Sequence, residues 1–267
     1  MSRVIGLSSR RRGKVAVAAP FFTEDYAGGV QNSTSRLTWG SIDSARKAII
    51  ADPDDASAYC FRIRGRPNGS DAFDNQAWIE HRWSMDRKYS EIWVEYGFRL
   101  PSNWQHRDNR PSSTNGKFFM LFEDTYSTSG YKVFLEYLLS EATNIGGSAI
   151  RGIRNTPGTN AIDFESAREP FLGGPNGAVT LNAWHRMRFY LRASTYYGNA
   201  DGIYKVWVGD TLVYNQVNVV IERKTDTGIR AALNNGYFFG SANQGFIEDT
   251  DHLFRNWKFY DANPGWG

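Results

Sequence analysis

A strict two-residue alternation from Ala183 to Asp210 constrains the fold more than any other feature of this sequence. One side of the first arm carries mostly apolar residues: His185, Met187, Phe189 and Leu191. The other side carries basic and aromatic residues: Trp184, Arg186, Arg188, Tyr190 and Arg192. Ile203–Gly209 repeats the alternation after a turn-forming Asn-Ala-Asp-Gly at 199–202. Because strand side chains alternate between faces, this stretch predicts a half-buried antiparallel hairpin.

The composition extends this prediction to the whole chain. The 267 residues suffice for one large domain, and 15% aromatic residues with 26 glycines favour strands and tight turns over helices. Further strands are predicted at 59–64, 77–85, 91–100, 117–123, 131–139, 212–221, 228–231, 237–240 and 252–260. Their number and spacing predict an all-β antiparallel sandwich.

Two segments are expected to depart from the strand rhythm. Ser41–Asp52 is the best helix candidate, with a polar start and Pro53 at its end. Residues 140–179 predict one long loop, with weak strand signals only near Ala149–Arg154. We therefore expect a basic arm and extended lead-in at 1–40 and a single sandwich domain at 41–267.

The N-terminal arm concentrates the positive charge. Residues 1–20 hold five basic residues and no acidic one, whereas the rest of the chain is nearly balanced. This indicates either a solvated tail or an arm that docks on an acidic partner, and the near-neutral body argues against nucleic-acid binding.

The start of the chain predicts no export. It lacks the apolar stretch of a signal peptide, and no apolar run reaches the roughly 18 residues of a membrane span. Cys60 is the only cysteine and excludes an internal disulfide, which favours a reducing compartment. We expect a protein of the cytoplasm, or of a virion that leaves by lysis, with no membrane partner.

Several stretches resemble a known family: EIWVEYGFRLPSNW, GKFFMLFED, AWHRMRFYL, DGIYKVWVGDTLVY and FRNWKFYD. They are similar to concanavalin A-like jelly rolls, above all to polysaccharide lyases of the alginate, glucuronan and heparin type. The resemblance covers roughly residues 58–260. It implies a sheet face that forms a groove for a sugar chain.

By alternation, the polar strand faces would present a set of basic, acidic and aromatic residues to a glycan. This glycan-binding set comprises Arg62, Arg64, Glu80, Trp93, Glu95, Lys117, Arg186 and Arg188. Arginine pairs with carboxylates in a two-pronged way, so an acidic polysaccharide is the expected ligand. The alternative is ordinary cross-strand ion pairing, for example of Glu80 or Glu95 with neighbouring arginines.

The resemblance to lyases implies three catalytic roles: a cation for the uronate carboxylate, a base and an acid. Arg62, Arg64 and Arg82 are candidate cations, and Tyr190 and Lys117 are candidate acids or bases. His185 and His81 are candidate bases, although alternation groups both with apolar neighbours and favours hydrogen-bonded core histidines. No lyase signature such as Gln-x-His occurs, and Glu80 and Glu95 lack the spacing of retaining glucanases.

No cofactor is expected, although related sandwiches hold structural calcium. Two acidic clusters are the candidate calcium sites: Glu248, Asp249 and Asp251, and Asp52, Asp54 and Asp55. Neither has the glycine and distant glutamate of a calcium loop.

Because a sugar-binding jelly roll without export is unusual, the leading interpretation is a non-enzymatic module of a phage-like particle that binds glycan or a capsid or tail surface. The alternatives are a lyase that cleaves acidic glycans by β-elimination, and an interaction domain that oligomerises through 140–179.

Overall fold

Two stacked antiparallel sheets of eight strands each form the described part of the protein. The structure is a computed structural model and describes residues 17–40, 42, 46–65, 79–104, 116–123, 134–141, 148–155, 162–165, 169–172, 179–196, 199–221, 232–238 and 248–266. A short 3-10 turn lies at Ala27–Gly29. No helix among these residues is long and apolar enough to cross a membrane.

Sheet A has the order β14-β13-β12-β6-β16-β4-β3, and β1 also pairs with β16. Its strands are β1 (Phe22–Glu24), β3 (Lys47–Asp52), β4 (Asp55–Gly65), β6 (Glu91–Arg99), β12 (Trp184–Arg192), β13 (Gly202–Val208), β14 (Thr211–Val219) and β16 (Thr250–Tyr260). The hairpin predicted from the alternation is confirmed, because β12 and β13 pair from Met187↔Val208 to Arg192↔Ile203.

Sheet B has the order β10-β9-β8-β7-β15-β5-β2, and β11 also pairs with β9. Its strands are β2 (Leu37–Trp39), β5 (His81–Tyr89), β7 (Gly116–Phe122), β8 (Phe134–Glu141), β9 (Ser148–Asn155), β10 (Ile162–Glu165), β11 (Glu169–Leu172) and β15 (Leu233–Phe238). The predicted all-β antiparallel jelly-roll class is confirmed by this arrangement.

Aromatic rings from both sheets meet in the core between them. The rings of Phe119 on β7 and Phe189 on β12 are stacked 4.1 Å apart, and Phe238 on β15 lies 4.4 Å from Trp257 on β16. Gly236 on β15 has no side chain at the point where Trp83 packs against the strand. Ring burial of this kind is a large part of the hydrophobic stabilisation of a sandwich.

The predicted helix at Ser41–Asp52 is wrong. Residues Lys47–Asp52 form β3, which pairs with β4 from Lys47↔Ile63 to Asp52↔Asp55. A short Ala/Ile run fits either period, and pairing with the adjacent strand decides it.

The predicted loop at 140–179 is also wrong in part. It contains β9, β10 and β11, of which the last two are four-residue strands that both pair with β9. Strands this short leave almost no periodic signal in a sequence. The lead-in likewise supplies β1 to sheet A and β2 to sheet B. Residues 1–14 of the basic arm and the predicted strand at 228–231 lie outside the described residues.

Candidate functional site

The sequence-predicted site residues lie on two opposite surfaces. We call the outer surface of sheet A face A and the outer surface of sheet B face B. Face A or its edge carries most of the set: Arg62, Arg64, Trp93, Glu95, Arg186, Arg188 and Tyr190. His185 on β12 belongs to the inward side of the same sheet, where its ring lies 5.6 Å from that of Phe98. Sheet B carries Arg82 on β5, Glu80 just before it, and the backbone of Lys117 on β7. The side chain of Lys117 lies outside the described part of the chain.

The expectation of one groove lined by all these residues is therefore wrong. Arg82 is on the opposite side of the sandwich from Arg186 and Arg188. Alternation sorts side chains into inward and outward but does not say which sheet a strand joins, because that depends on pairing between distant segments.

On face A, predicted glycan-binding groups are engaged with neighbouring side chains of the same sheet. Trp93 and Tyr190 stack at 4.5 Å, and the Tyr190 hydroxyl donates to Glu91 at 2.8 Å. Arg188 donates to Asp210 at 3.0 Å and has the rings of Trp207 and Trp266 within 6 Å of its guanidinium. These contacts favour the alternative that these residues stabilise the sheet through pairing with their neighbours.

At the far edge of face A, Arg64 forms a two-pronged pair with Asp251 at 2.6 and 2.7 Å, and Arg62 lies 3.9 Å from the same carboxylate. Asp54 likewise pairs with Arg99 at 2.6 Å. Aspartates of both acidic clusters thus form ion pairs with arginines. Within the described ranges, no three metal-ligating side chains come together.

Asp52 is the most deeply buried of these acids. It accepts hydrogen bonds from the Asp54 backbone N–H at 2.9 Å and the Trp184 indole at 3.1 Å, and it pairs with Arg255. Burial alone would raise the pKa of Asp52, but the Asp54 N–H and Arg255 outweigh it and lower the pKa. Asp52 is therefore an ionised structural anchor.

Neither histidine is placed as an exposed base. His81 is fully buried, its Nε2 lies 2.8 Å from the Gln31 side-chain oxygen, and its ring packs 4.2 Å from Phe61. Burial lowers the pKa of His81 to about 3, so it is neutral at ordinary pH. His185 lies at the start of β12 with its Nε2 2.9 Å from the Thr180 carbonyl oxygen. The core-histidine interpretation of His81 is confirmed.

Face B brings together a cation and a phenol that the sequence did not link. Arg82 on β5 is directly opposite Tyr237 on β15, which in turn is opposite Met120 on β7. Residues directly opposite on antiparallel strands have Cβ atoms about 5 Å apart. Tyr237 was not singled out from the sequence, because only the register of β15 shows that it adjoins Arg82.

Glu80 holds the Arg82 guanidinium in place. Its carboxylate accepts from Arg82 Nε at 2.7 Å and lies 2.6 Å from Nη2. The Glu80 side chain is only 6% exposed, whereas that of Arg82 is 51% exposed. Next to them, Tyr237, Met120 and Phe122 form a small buried cluster separate from the main core. An anchored, half-exposed arginine beside a sheltered phenol can bind a carboxylate and move a proton near it.

No family model and no curated protein matches the chain. Among solved structures, the alginate lyase Aly36B is similar with a TM-score of 0.63 at 13% identity, covering 92% of this chain and 98% of the lyase. The endo-β-1,4-glucuronan lyase of the fungus Trichoderma reesei is similar with a TM-score of 0.57 at 11% identity, covering 93% of this chain and 100% of that lyase. The PL-14 alginate lyase of Aplysia kurodai is similar with a TM-score of 0.57 at 15% identity, covering 91% of this chain and 99% of that lyase.

These similarities correct the leading interpretation from the sequence. They do not indicate a non-enzymatic module of a phage-like particle, because the similar structures are polysaccharide lyases. The resemblance stated from the sequence is confirmed: the chain has the jelly-roll fold of the alginate and glucuronan lyases.

Proposed function

We propose that this protein is a polysaccharide lyase that cleaves uronate-containing glycans by β-elimination on face B. The observation that carries the proposal is the shared fold, which spans over nine-tenths of this chain and nearly all of the alginate and glucuronan lyases. Two variants of Aly36B, each with two alanine substitutions, are complexed with alginate tetrasaccharide and trisaccharide. An acidic polysaccharide is therefore the substrate class to test.

The residues of face B fit the chemical needs of β-elimination. A base removes the proton on C5 of the uronate, the C4–O4 bond breaks, and a C4=C5 double bond forms while O4 takes up a proton. Removal of the C5 proton requires that the carboxylate charge be neutralised, and we assign this role to Arg82, which Glu80 anchors and which is 51% exposed. Tyr237, directly opposite Arg82 in register, is the phenol that we assign to the proton transfer.

Tyr190 and His185, the other catalytic candidates from the sequence, do not share this surface with Arg82. Tyr190 is on face A and donates its hydroxyl proton to Glu91. His185 is held at Thr180 at the start of β12, in the same sheet. Neither can act on a sugar bound at Arg82, since the core separates the two sheets.

The test is to incubate the protein with alginate, glucuronan and heparin and follow the ultraviolet absorbance of the unsaturated product. We expect product from at least one glycan, and a loss of kcat of about 10²-fold or more in Arg82→Ala and in Tyr237→Phe. Tyr190→Phe is the matched control, because it removes one phenol from the opposite face and should keep its activity.

Two results would contradict the proposal. Absence of unsaturated product from every acidic glycan would reject the lyase activity. Activity that survives Tyr237→Phe but disappears in Tyr190→Phe would place the catalytic groups on face A instead.

A further inference from the structure

A cleft of about 330 Å³ opens on face A, between β12, β6 and β16. It is on the opposite side of the sandwich from Arg82 and Tyr237. Its volume is at the lower end of the range of small-molecule sites, which suits one sugar ring. Three features of the chain build this cleft.

The first feature is a β-bulge in β16. The register with β6 shifts between Arg255 and Lys258, and Asn256 between them adopts a left-handed conformation with φ 54°. Residues three apart on a regular strand point to opposite faces. The bulge inserts one extra residue, so Arg255 and Lys258 both reach face A while Trp257 stays fully buried in the core. The bulge thus turns two cations towards one cleft.

The second feature is Gly97 on β6, which is opposite both Arg186 and Arg255 in register. A Cβ atom at this position would lie 3.0 Å from Cγ of Arg255. A glycine inside a strand commonly marks a close approach by another group. Here its missing side chain leaves the floor of the cleft open.

The third feature is a rigid aromatic wall formed by Trp184. Its indole N–H donates to the buried Asp52 at 3.1 Å, and the Arg255 guanidinium lies 4.0 Å from its ring centroid. Asp52 also pairs with Arg255, so one carboxylate positions both side chains. A wall held in this way loses little entropy when a ligand binds.

The lining of the cleft holds three cations and one carboxylate, and Asp52 and Asp210, outside the lining, pair with two of these cations. Arg186, Arg255 and Lys258 line it together with one carboxylate, Glu95. Glu95 lies 3.1 Å from Lys258 Nζ and 4.0 Å from Arg186 Nε, so its carboxylate holds the two cations close to each other. The side chains of Arg186 and Lys258 are 46% and 41% exposed, which leaves them accessible to a ligand.

Arg186 also pairs with Asp210 at 2.5 Å, but that carboxylate is 88% exposed. Exposed ion pairs contribute little to stability because water screens them, so a ligand carboxylate can compete with Asp210 for Arg186. The cleft therefore offers two accessible cations, a fixed indole and an open floor.

We propose that this cleft is a second, non-catalytic binding site for one uronate residue of an acidic glycan, with its carboxylate bound by the exposed ends of Arg186 and Lys258. The ligand class rests on the proposed function, whereas the site itself rests on the geometry of face A. A glycan held there would keep the polymer near the protein while face B acts on another part of it.

Binding is tested by calorimetric titration of an alginate tetrasaccharide into the Arg82→Ala variant, in which the carboxylate-binding cation of face B is removed. We expect one binding site. Adding Arg186→Ala and Lys258→Ala should lower the affinity at least tenfold, and adding Lys205→Ala, which removes one cation from face A outside the cleft, should leave it unchanged. Cellotetraose, which lacks carboxylates, should not bind.

Equal affinity with and without the two cleft cations, or equal binding of cellotetraose, would overturn the proposal. Arg186→Gln with Lys258→Gln is the second variant pair if the alanine variant unfolds, as judged by circular dichroism. The outcome is separable from that of the proposed function: wild-type protein that forms no unsaturated product but binds the tetrasaccharide at the cleft would refute only the lyase activity.

Discussion

Replacement of Gly236 by alanine is the sharpest test of the strand register on which face B depends. A Cβ atom at this position would lie 2.3 Å from Cζ2 of Trp83 and 2.4 Å from the backbone oxygen of Met120. Both contacts are about 1 Å shorter than ordinary van der Waals contact, and neither partner is a flexible side-chain end. β15 is held between β5 and β7, so it has no free direction in which to move.

The cost of Gly236→Ala follows from these two contacts. Overpacking a well-filled core costs typically about 1–3 kcal/mol, and two rigid clashes place this variant at the upper end, at about 3 kcal/mol. Urea unfolding followed by circular dichroism should show the midpoint falling by about 1 M with an unchanged slope, since the surface exposed on unfolding stays the same.

Gly40→Ala is the matched control. Its Cβ atom would lie 3.4 Å from the Arg82 carbonyl oxygen, which is ordinary contact, so the loss should stay below about 1 kcal/mol. A similarly small loss for Gly236→Ala would refute the packing of Trp83 against β15, and with it the placement of Tyr237 opposite Arg82.

Two further predictions concern buried titratable groups. Because burial lowers the pKa of His81 to about 3, the unfolded chain binds a proton at this residue between roughly pH 6.5 and 3 that the folded chain does not. The free energy of unfolding should therefore fall as the pH falls through this window, by about 1.4 kcal/mol per pH unit from His81. Urea unfolding of the His81→Gln variant should lack this pH-dependent loss. If the wild type and the variant lose stability in parallel as the pH falls, the prediction is wrong. Burial also raises the pKa of Cys60 to about 12, so iodoacetamide should label this thiol only after unfolding, and rapid labelling of the folded protein would show that β4 is not covered as described.

The alternation at 183–210 predicted the hairpin and its buried side correctly, because side-chain direction along a strand follows from backbone geometry alone. Met187, Phe189 and Val206 are all buried, as the pattern required. The same local rule could not assign strands to sheets. It placed Arg82 and Arg186 in one groove, whereas pairing between segments far apart in sequence places them on opposite surfaces.

The sequence by itself determined the fold class and the inward and outward sides of the long strands. Only the tertiary structure decided which polar residues share a surface. The Arg82–Tyr237 neighbourhood arises from the register of β5 and β15, and the cleft on face A arises from the bulge at Asn256. Both depend on hydrogen bonding between strands that are distant in the chain, and a pattern read along one strand contains no information about its partner.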